Sequence, residues 1–173
     1  MRIRELRPGE ATTQRAEQLG LLMADLDDRH DGGIIDMERF EGAVNSPSAG
    51  WIIAELEPRD STPHSLHTRR LPIIGSATLS TLHGCMGEAD AAWLSDFVVA
   101  EEWRGKRDGG ISVAQGIWNA MTHWRQERGL WALRFTSSET REQAHKFYIK
   151  QGCTVDTGER TAYFQHVIDS SSH

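Results

Sequence analysis

The chain has 173 residues, of which 38% are hydrophobic and 25% charged, with 19 Lys and Arg against 25 Asp and Glu. This length predicts a single domain over residues 1–173, and the composition is typical of a soluble globular protein, which excludes disordered and fibrous classes. The net charge of −6 provides no general positive field, so we expect no nucleic-acid partner and only local positive charge for an anionic ligand.

Cysteine usage and the N-terminus indicate a cytoplasmic protein. The two cysteines, Cys85 and Cys153, are too few for a disulfide framework and form no zinc pattern. The first ten residues alternate charged and apolar side chains and lack the apolar block of a signal peptide. No apolar run approaches the roughly 20 residues that span a bilayer, so we expect no membrane partner.

Strand and helix signals alternate in the first half of the chain. In chain order the predicted elements are a strand at 3–6, a helix ending near residue 26, a short helix at 36–44, and strands at 51–54 and 71–79. The first helix has an apolar stripe at the spacing i, i+3, i+4 and i+7: Leu19, Leu22, Met23 and Leu26. Residues 57–70 have no periodicity and predict a mobile hairpin loop, in which His64 and His67 lack further metal ligands, so we expect no metal.

The second half begins with a strand and a long helix. The predicted elements are a strand at 92–100, a loop at 103–110, a helix ending at Gly129, a strand at 131–135, a helix at 141–150 ended by Gly152, and a strand at 161–167 after a turn at 156–158. The long helix has two apolar rows: Ile111, Ala114, Trp118 and Met121, and Val113, Ile117 and Trp124. Residues 170–173 are expected to fray. This order predicts an α/β sheet with helices on both faces.

The loop that joins the strand at 92–100 to the long helix has the chemistry of an anion site. Its glycines allow close approach to the backbone, and free N–H groups at a helix start attract phosphate. Arg104, Lys106 and Arg107 supply positive charge in an acidic protein. The loop is neither a Walker A motif nor GxGxxG, which argues against nucleotide hydrolysis and a dinucleotide fold.

Two segments resemble motifs of the GNAT superfamily of N-acyltransferases. Residues 94–109, LSDFVVAEEWRGKRDG, resemble its acyl-CoA motif, in which a strand leads into Arg/Gln-x-x-Gly-x-Gly/Ala. Residues 144–153, AHKFYIKQGC, are similar to its Ala-x-x-Phe/Leu-Tyr-x-x-x-Gly-Phe segment. The resemblance implies a mixed central sheet of about six to seven strands, splayed at the strand that binds acetyl-CoA. It also implies direct transfer of acetyl to a primary amine of a small molecule or peptide, without a metal, and a fold that can pair two copies through edge strands.

The resemblance also implies roles for individual residues. Backbone groups of Phe97, Val98 and Val99 would pair with acetyl-CoA. Arg141, at a position where the family often has asparagine, would contact acetyl-CoA or the acceptor. The pyrophosphate would lie on the loop of Arg104, Gly105, Lys106, Arg107, Asp108, Gly109 and Gly110. Tyr148 matches the tyrosine that faces the thioester sulfur, where a phenol can protonate the departing thiolate.

The acyl-CoA motif departs from the family at its fourth position, which is Arg107 instead of glycine. A side chain there would crowd the pyrophosphate. A register shifted by three residues, Arg107-x-x-Gly110-x-Ser112, restores the glycine but lengthens the connection from the strand. We prefer the first register because it keeps the spacing from strand to arginine.

The general base has several candidates. Ser95 stands where many relatives have glutamate, and Asp96 matches an acid beside it, but a regular strand points the two to opposite faces. Glu88 and Asp90 in the preceding loop are further candidates. Cys85 near His83 lacks an oxyanion segment and does not favour nucleophilic catalysis, and Cys153 takes an apolar position and is expected to pack.

The acceptor has only weak signals in the sequence. Trp51 or Trp93 could line its pocket, and a cluster of acids would suit a cationic amine: Asp25, Asp27, Asp28 and Asp31. The alternative function is a GNAT-like module that binds acyl-CoA with little or no turnover, as a sensor or scaffold. Arg107 and the missing glutamate at Ser95 favour this alternative.

Overall fold

The computed structural model describes residues 1–24, 26, 35–56, 72–84, 89–157 and 161–167. The strands are β1 (Arg2–Glu5), β2 (Ala49–Glu55), β3 (Ile73–Leu82), β4 (Ala91–Val99), β5 (Arg107–Asp108), β6 (Ile111–Ser112), β7 (Ala132–Ser138), β8 (Thr154–Thr157) and β9 (Thr161–Val167). The helices are α1 (Thr13–Ala24), α2 (Met37–Asn45), α3 (Val113–Glu127) and α4 (Glu142–Lys150), with a 3₁₀ turn at Glu101–Trp103. No helix in the described ranges is both long and apolar enough to cross a membrane.

Seven strands form one mixed sheet in the order β1-β2-β3-β4-β7-β9-β8. The pairs β1–β2, β7–β9 and β8–β9 are antiparallel, whereas β4 pairs in parallel with β7. That parallel register joins Ala92 to Leu133 and Trp93 to Arg134, and both strands continue well beyond it. The predicted α/β fold with its mixed sheet is confirmed. The parallel register of β4 and β7 is short, and these are the two strands that are expected to separate.

Helix ends follow local sequence signals. Asp36 accepts a hydrogen bond from the Arg39 N–H at 3.0 Å and caps α2. The helix ends where Ser46 turns to ψ 129°, because the residue before Pro47 avoids helical angles. Both ends of the predicted short helix are therefore confirmed to within one residue.

Several boundaries differ from the prediction. β3 and β7 end at Leu82 and Ser138, three residues beyond the predicted ends of these strands. Ile111, expected in the long helix, lies in β6, because Ser112 caps the helix and α3 begins at Val113. Asp156 and Thr157, expected in a turn, belong to β8. The predicted loop at 57–70, the frayed end at 170–173 and Leu71 lie outside the described residues.

The described chain forms two compact units. The first consists of residues 1–78 and 96–121, and α1 and α2 bury its main apolar cluster. The cluster contains Leu6, Ala16, Leu19, Leu22, Phe40, Val44, Ile53, Ile73, Val98 and Ala100. Trp51 packs edge-on against Phe40, with ring centroids 4.7 Å apart, and its indole N–H donates to the buried Ser76 hydroxyl at 2.8 Å. Trp51 is therefore partly buried and packs against the apolar cluster of this unit.

The second unit consists of residues 79–95 and the described residues from 122 on. Its β7 and β9 pair over their whole length, from Ala132 opposite Val167 to Ser138 opposite Thr161. Arg125 of α3 is fully buried here, and its Nη1 donates to the His166 carbonyl at 2.7 Å. Burial lowers the pKa of this guanidinium. Arg125 directly follows Trp124, which belongs to an apolar row of α3. Helical periodicity does not predict that Arg125 is buried as well.

A glycine brings β3 close to α3 in the first unit. A Cβ at Gly75 would lie 2.7 Å from Ile117 Cδ1, 2.9 Å from Val113 Cγ1 and 3.2 Å from the Val98 carbonyl oxygen. Real Cβ atoms do not approach other atoms this closely, so the missing side chain lets the helix pack on the strand.

We expect Gly75→Ala to destabilise the protein by about 1 to 3 kcal/mol, because the added methyl overpacks this contact. Urea unfolding followed by circular dichroism measures the change. Gly42→Ala is the matched control: Gly42 is exposed in α2 with nothing within 4 Å, so alanine there should stabilise the helix by about 0.5 to 1 kcal/mol. Equal stability of Gly75→Ala and the wild type would contradict the close packing.

Candidate functional site

The predicted anion loop folds into a small hairpin. β5 and β6 pair through Arg107 opposite Ser112 and Asp108 opposite Ile111. Gly109 and Gly110 form the two-residue turn with φ of 62° and 86°, and positive φ at both positions is what a type I′ turn requires. The sequence analysis missed this hairpin, although the Gly109-Gly110 pair is its signal.

Open space surrounds the glycines of this loop. Gly105 also has a positive φ, of 75°, and a Cβ at Gly105, Gly109 or Gly110 would meet nothing within 4 Å. A ligand can therefore approach the backbone at all three positions. Side chains at these positions would strain the backbone without meeting a neighbour.

Helix α3 begins directly after the hairpin. The Ser112 hydroxyl accepts a hydrogen bond from the Gln115 N–H at 3.2 Å and caps the helix. The first-turn N–H groups at Val113 and Ala114 have no acceptor within the helix, and the positive end of the helix dipole lies with them. An anion is therefore favoured beside the hairpin.

Three cationic side chains of the loop are held by local contacts. Arg104 Nε donates to the Val99 carbonyl at 3.0 Å, and Arg107 Nη1 donates to the Gly110 carbonyl at 3.3 Å. Lys106 Nζ lies 5.6 Å from the centre of the Trp103 ring. All three cations are exposed, so positive charge faces solvent around the turn.

The end of β4 contains the residues predicted to pair with acetyl-CoA. Val98 is buried, whereas Phe97 and Val99 are half-buried. Arg104 Nε donates to the Val99 carbonyl, and a carbonyl oxygen has two lone pairs, so this contact by itself does not prevent a second donor from binding there.

Asp96 has a partner that the sequence analysis did not identify. The Thr78 hydroxyl donates to Asp96 Oδ2 at 2.7 Å and accepts the Asp96 backbone N–H at 3.2 Å. This reciprocal pair holds the half-buried carboxylate in one orientation. No local signal links residues 18 positions apart, so only the fold reveals Thr78. Ser95, in the second unit, is exposed.

Asp90 is engaged by its neighbours in the loop before β4. His83 Nδ1 lies 2.8 Å from Asp90 Oδ2, and the Gly84 N–H donates to Oδ1 at 3.1 Å. The hydrogen bond with His83, followed by the one from Gly84, lowers the pKa of Asp90. This makes Asp90 a weaker base. The remaining acid, histidine and cysteine candidates outside the described residues are Asp25, Asp27, Asp28, Asp31, His64, His67, Cys85 and Glu88.

The end of α4 fixes the position of Tyr148. The Cys153 N–H donates to the Tyr148 carbonyl at 3.1 Å, and the Gly152 N–H donates to the Ile149 carbonyl at 3.0 Å. Gly152 has a φ of 84°, so these bonds form a Schellman motif. The Tyr-x-x-x-Gly spacing therefore places Tyr148 three residues before the helix cap.

The Tyr148 ring lies in an aromatic cluster of the second unit. Its centroid is 4.6 Å from that of Phe135 and 5.1 Å from that of Phe164, both edge-on. Burial raises the pKa of Tyr148 to about 12, the positive charge of Arg141 opposes the rise, and Cys153 adds to it. The phenol is therefore protonated at neutral pH. Cys153 is buried, which confirms that this thiol is packed, and the burial raises its pKa to about 12.

Neither a protein-family model nor a curated protein sequence matches the chain. Solved structures do match it. The GNAT domain of S. lividans PAT has a TM-score of 0.70 at 12% identity, over 96% of this chain and 89% of that one. An aminoglycoside acetyltransferase from an uncultured soil metagenomic sample, in complex with sisomicin, has a TM-score of 0.68 at 18% identity, over 91% and 90%. NAA60 of Arabidopsis thaliana, in complex with acetyl-CoA, has a TM-score of 0.65 at 14% identity, over 96% and 99%.

The chain has the GNAT fold. The resemblance seen in two sequence segments is thus confirmed at the level of fold over nearly the whole chain. Within the described part of this GNAT fold, no group of three or more His, Cys, Asp and Glu side chains could hold a metal ion.

We expect Tyr148→Phe to reduce the loss of stability of this GNAT fold at alkaline pH. The pKa of Tyr148 is about 12 in the folded protein and 10.0 ordinarily, so the unfolded chain ionises first as pH rises. The contribution of Tyr148 to the free energy of unfolding is therefore full below pH 10 and is lost as pH rises to about 12. This is an effect of roughly 2 to 3 kcal/mol. Urea unfolding at about pH 8 and about pH 11.5 measures it.

Tyr163→Phe is the control, because Tyr163 is 54% exposed and the only other tyrosine of the sequence. It should keep the alkaline profile of the wild type. Cys153 contributes in the same direction, so the comparison is repeated in a Cys153→Ala background. Parallel profiles for Tyr148→Phe and the wild type would contradict the raised pKa.

Proposed function

We propose that the chain is an N-acetyltransferase that transfers acetyl from acetyl-CoA directly to a primary amine. The observation that carries the proposal is the hairpin before α3, where three positive-φ glycines with open space above them adjoin a helix start and three exposed cations. In a GNAT fold, this is a suitable place for the pyrophosphate of a CoA thioester. Solved structures of this fold include one with acetyl-CoA bound, which supports the same cofactor here.

The residues of the first unit fit acetyl-CoA as follows. The pyrophosphate would lie on Gly109, Gly110 and the first-turn N–H groups of α3, with Arg104, Lys106 and Arg107 neutralising its charge. Asp108 would stay turned to the amino group of Met1, with which it pairs. The backbone N–H and carbonyl groups of Phe97 and Val99 would donate and accept hydrogen bonds along the pantetheine chain of acetyl-CoA.

Two observations favour the shifted register of the acyl-CoA motif over the one preferred from the sequence. Gly110, its fourth position, has the positive φ that a glycine provides, whereas Arg107 lies within a strand. Ser112, its sixth position, is the cap of α3. We therefore propose that the β5–β6 hairpin accommodates the three additional residues without displacing the helix start.

The chemistry requires a base and an acid. We propose that Asp96, held by Thr78, or a water beside Ser95 takes the proton that an ammonium must lose before attack on the thioester. As the amine nitrogen bonds to the acyl carbon it becomes cationic and loses a second proton to solvent; as the carbon–sulfur bond breaks, Tyr148 would give its proton to the thiolate and recover one from solvent. One proton is released overall. Arg141, whose charge opposes the rise in the pKa of Tyr148, would ease that transfer.

The acceptor class is a small molecule or a peptide. Neighbours of both kinds support this: one is an aminoglycoside acetyltransferase in complex with sisomicin, and another is NAA60 in complex with a bisubstrate analogue. We propose that the protein acts in the cytoplasm, as its cysteine usage suggests. Pairing of two copies through the edge strands β1 and β8 also stays a prediction.

The alternative function, an acyl-CoA-binding module without turnover, is favoured by the exposed serine at position 95, which brings no carboxylate. Turnover separates the two functions. A protein that binds acetyl-CoA yet acetylates no amine in a broad panel would be such a module.

Calorimetric titration with acetyl-CoA tests the cofactor site. We expect a Kd of about 1 to 100 μM for the wild type. Gly110→Ala should weaken binding at least about tenfold, because alanine disfavours the φ of 86° and disrupts the turn. If the shifted register is correct, Arg107→Gly should also weaken the binding of acetyl-CoA, because the variant loses a cation of the loop. Tighter binding by Arg107→Gly would instead support the register preferred from the sequence.

Gly9→Ala is the matched control for backbone strain. Gly9 has a φ of 82° with nothing within 4 Å, but it lies in the turn after β1. It should lose stability and keep the affinity for acetyl-CoA. If Gly9→Ala lost as much affinity for acetyl-CoA as Gly110→Ala, backbone strain alone would explain the effect of both substitutions.

Steady-state transfer to an amine tests the acid. Tyr148→Phe keeps the ring packing but loses the hydroxyl, so kcat should fall by about 10²- to 10⁴-fold with little change in the affinity for acetyl-CoA. An unchanged kcat would remove Tyr148 as the acid without affecting the cofactor site.

A further inference from the structure

One face of β4, β7 and β9 in the second unit, called here the open face, carries side chains that are half-buried or exposed. Side chains alternate along each strand: Leu133, Phe135 and Ser137 of β7 are buried, whereas Arg134, Thr136 and Ser138 are half-buried or exposed. The pairing registers of β7 with β4 and with β9 then show which side chains of those strands lie on the same face of the sheet as Arg134. The open face consists of Trp93, Ser95, Arg134, Thr136, Tyr163 and Gln165.

Arg134 lies in the middle of the open face and is held in place by two contacts. Its Nε donates to the Gln165 side-chain oxygen at 3.1 Å, and its guanidinium lies 4.9 Å from the centre of the Trp131 ring. The side chain is half-buried. A guanidinium fixed in this way loses little further freedom when it binds a ligand.

The charge of Arg134 has no carboxylate partner among the described residues. Its one hydrogen bond there uses Nε and a neutral amide, which leaves the Nη1 and Nη2 groups to present parallel donors. Parallel N–H donors of this kind match a carboxylate in the bidentate geometry. A half-buried cation that has no counter-charge in the described ranges is stabilised by an anionic ligand.

The open face includes Ser95, a position predicted for the general base. Trp93 lies opposite Arg134 in the parallel register, and Ser95 follows two residues later on the same side of β4, roughly 7 Å along the strand. Ser95 is exposed and would hold the water that is one of the two proposed bases, whereas Asp96, the other, points to the opposite side of β4. A ligand bound to Arg134 can therefore extend along the open face towards Ser95.

We infer that the acceptor is a primary amine that also bears a carboxylate, and that Arg134 binds this carboxylate and determines specificity. The inference rests on the proposed function and deepens it. Gln165 and Trp131 act as positioning residues for the guanidinium. Trp93 lies opposite Arg134 on the open face, and its ring would contact an apolar linker between amine and carboxylate.

Charge complementarity favours this class over polyamines. A polyamine or aminoglycoside would bring further positive charge to the side of Arg134, and like charges at close range repel. The acidic residues at 25–31, which suit a cationic acceptor in the sequence analysis, lie outside the described residues. An acceptor site for amino carboxylates should therefore prefer 5-aminopentanoate to spermidine, whereas a site for polyamines should prefer spermidine.

The first test measures binding without turnover. The probes are 5-aminopentanoate and its neutral amide, 5-aminopentanamide, titrated while the indole N–H resonance of Trp131 is followed by NMR and identified with Trp131→Phe. Movement of the guanidinium over the ring should shift this resonance. We expect a saturable shift with the carboxylate, at least about tenfold weaker with the amide, and its loss in Arg134→Gln.

The second test measures acetyl transfer to the same two amines and to spermidine. Arg134→Gln should raise KM for 5-aminopentanoate by about tenfold to a hundredfold, with kcat within about threefold and no change for the amide. Arg134→Lys should restore part of the loss, because it keeps the charge without the parallel donors. Arg128→Gln is the matched control, since Arg128 also stacks on a tryptophan, 4.1 Å from the centre of the Trp124 ring, but lies outside the open face.

The outcomes distinguish this inference from the proposed function. Equal use of carboxylate and amide, or a preference for spermidine that Arg134→Gln leaves intact, overturns the inference while acetyl transfer stands. Binding of the carboxylate at Arg134 without transfer to any amine supports the anion site and overturns the enzyme. Neither binding nor transfer overturns both.

Discussion

The antiparallel register of β7 and β9 determines most of the chemistry of the second unit. Because side chains alternate along a strand, one register assigns Phe135 and Phe164 to the covered side and Arg134 and Gln165 to the open side. A slip by one residue would exchange the two sets. The aromatic environment of Tyr148 and the fixed guanidinium of Arg134 are thus two results of the same pairing. The covered side is dry and raises the pKa of a phenol, whereas the open side is polar and can hold a charge.

Backbone conformation has the same importance in the first unit. The hairpin of β5 and β6 depends on two consecutive residues at positive φ, which Gly109 and Gly110 adopt without strain. It ends at Ser112, so that the cap, the helix start and the glycine turn lie within a few residues of each other. Positive charge from the backbone and from Arg104, Lys106 and Arg107 then adds up locally in a protein whose net charge is −6. An anionic cofactor needs no global field under these conditions.

The protonation state of Tyr148 sets limits on its role. A phenol with a pKa of about 12 keeps its proton at neutral pH and is a reliable hydrogen-bond donor, but transfer of that proton to a thiolate is uphill. The transfer becomes easier as negative charge develops on sulfur in a dry site and Arg141 stabilises the phenolate. The same burial keeps the Cys153 thiol protonated and unreactive next to it. Tyr148 therefore suits proton donation coupled to departure of the thiolate, and it does not suit nucleophilic catalysis.

The sequence alone determined the features that depend on neighbours a few residues apart. The apolar stripe of α1, the Asp36 cap, the stop before Pro47 and the Gly152 end that fixes Tyr148 all arise from local propensity, capping and periodicity, and the element order of the main sheet follows from them. The acyl-CoA motif and the tyrosine segment belong to the same class, because each is a short run along one strand, loop or helix.

Only the tertiary structure decided which distant residues meet. Thr78 contacts Asp96 across 18 residues, Arg134 contacts Gln165 across 31, and Arg125 contacts the His166 carbonyl across 41. The small β5–β6 hairpin also escaped prediction, since strands of two residues have no periodicity to detect. Contacts of this kind depend on strand order and register, which are set by burial of the whole sheet and not by any local signal. The sequence therefore predicted an anion loop and singled out Tyr148, whereas the environments of Asp96 and Arg134 became visible only when the strands were paired.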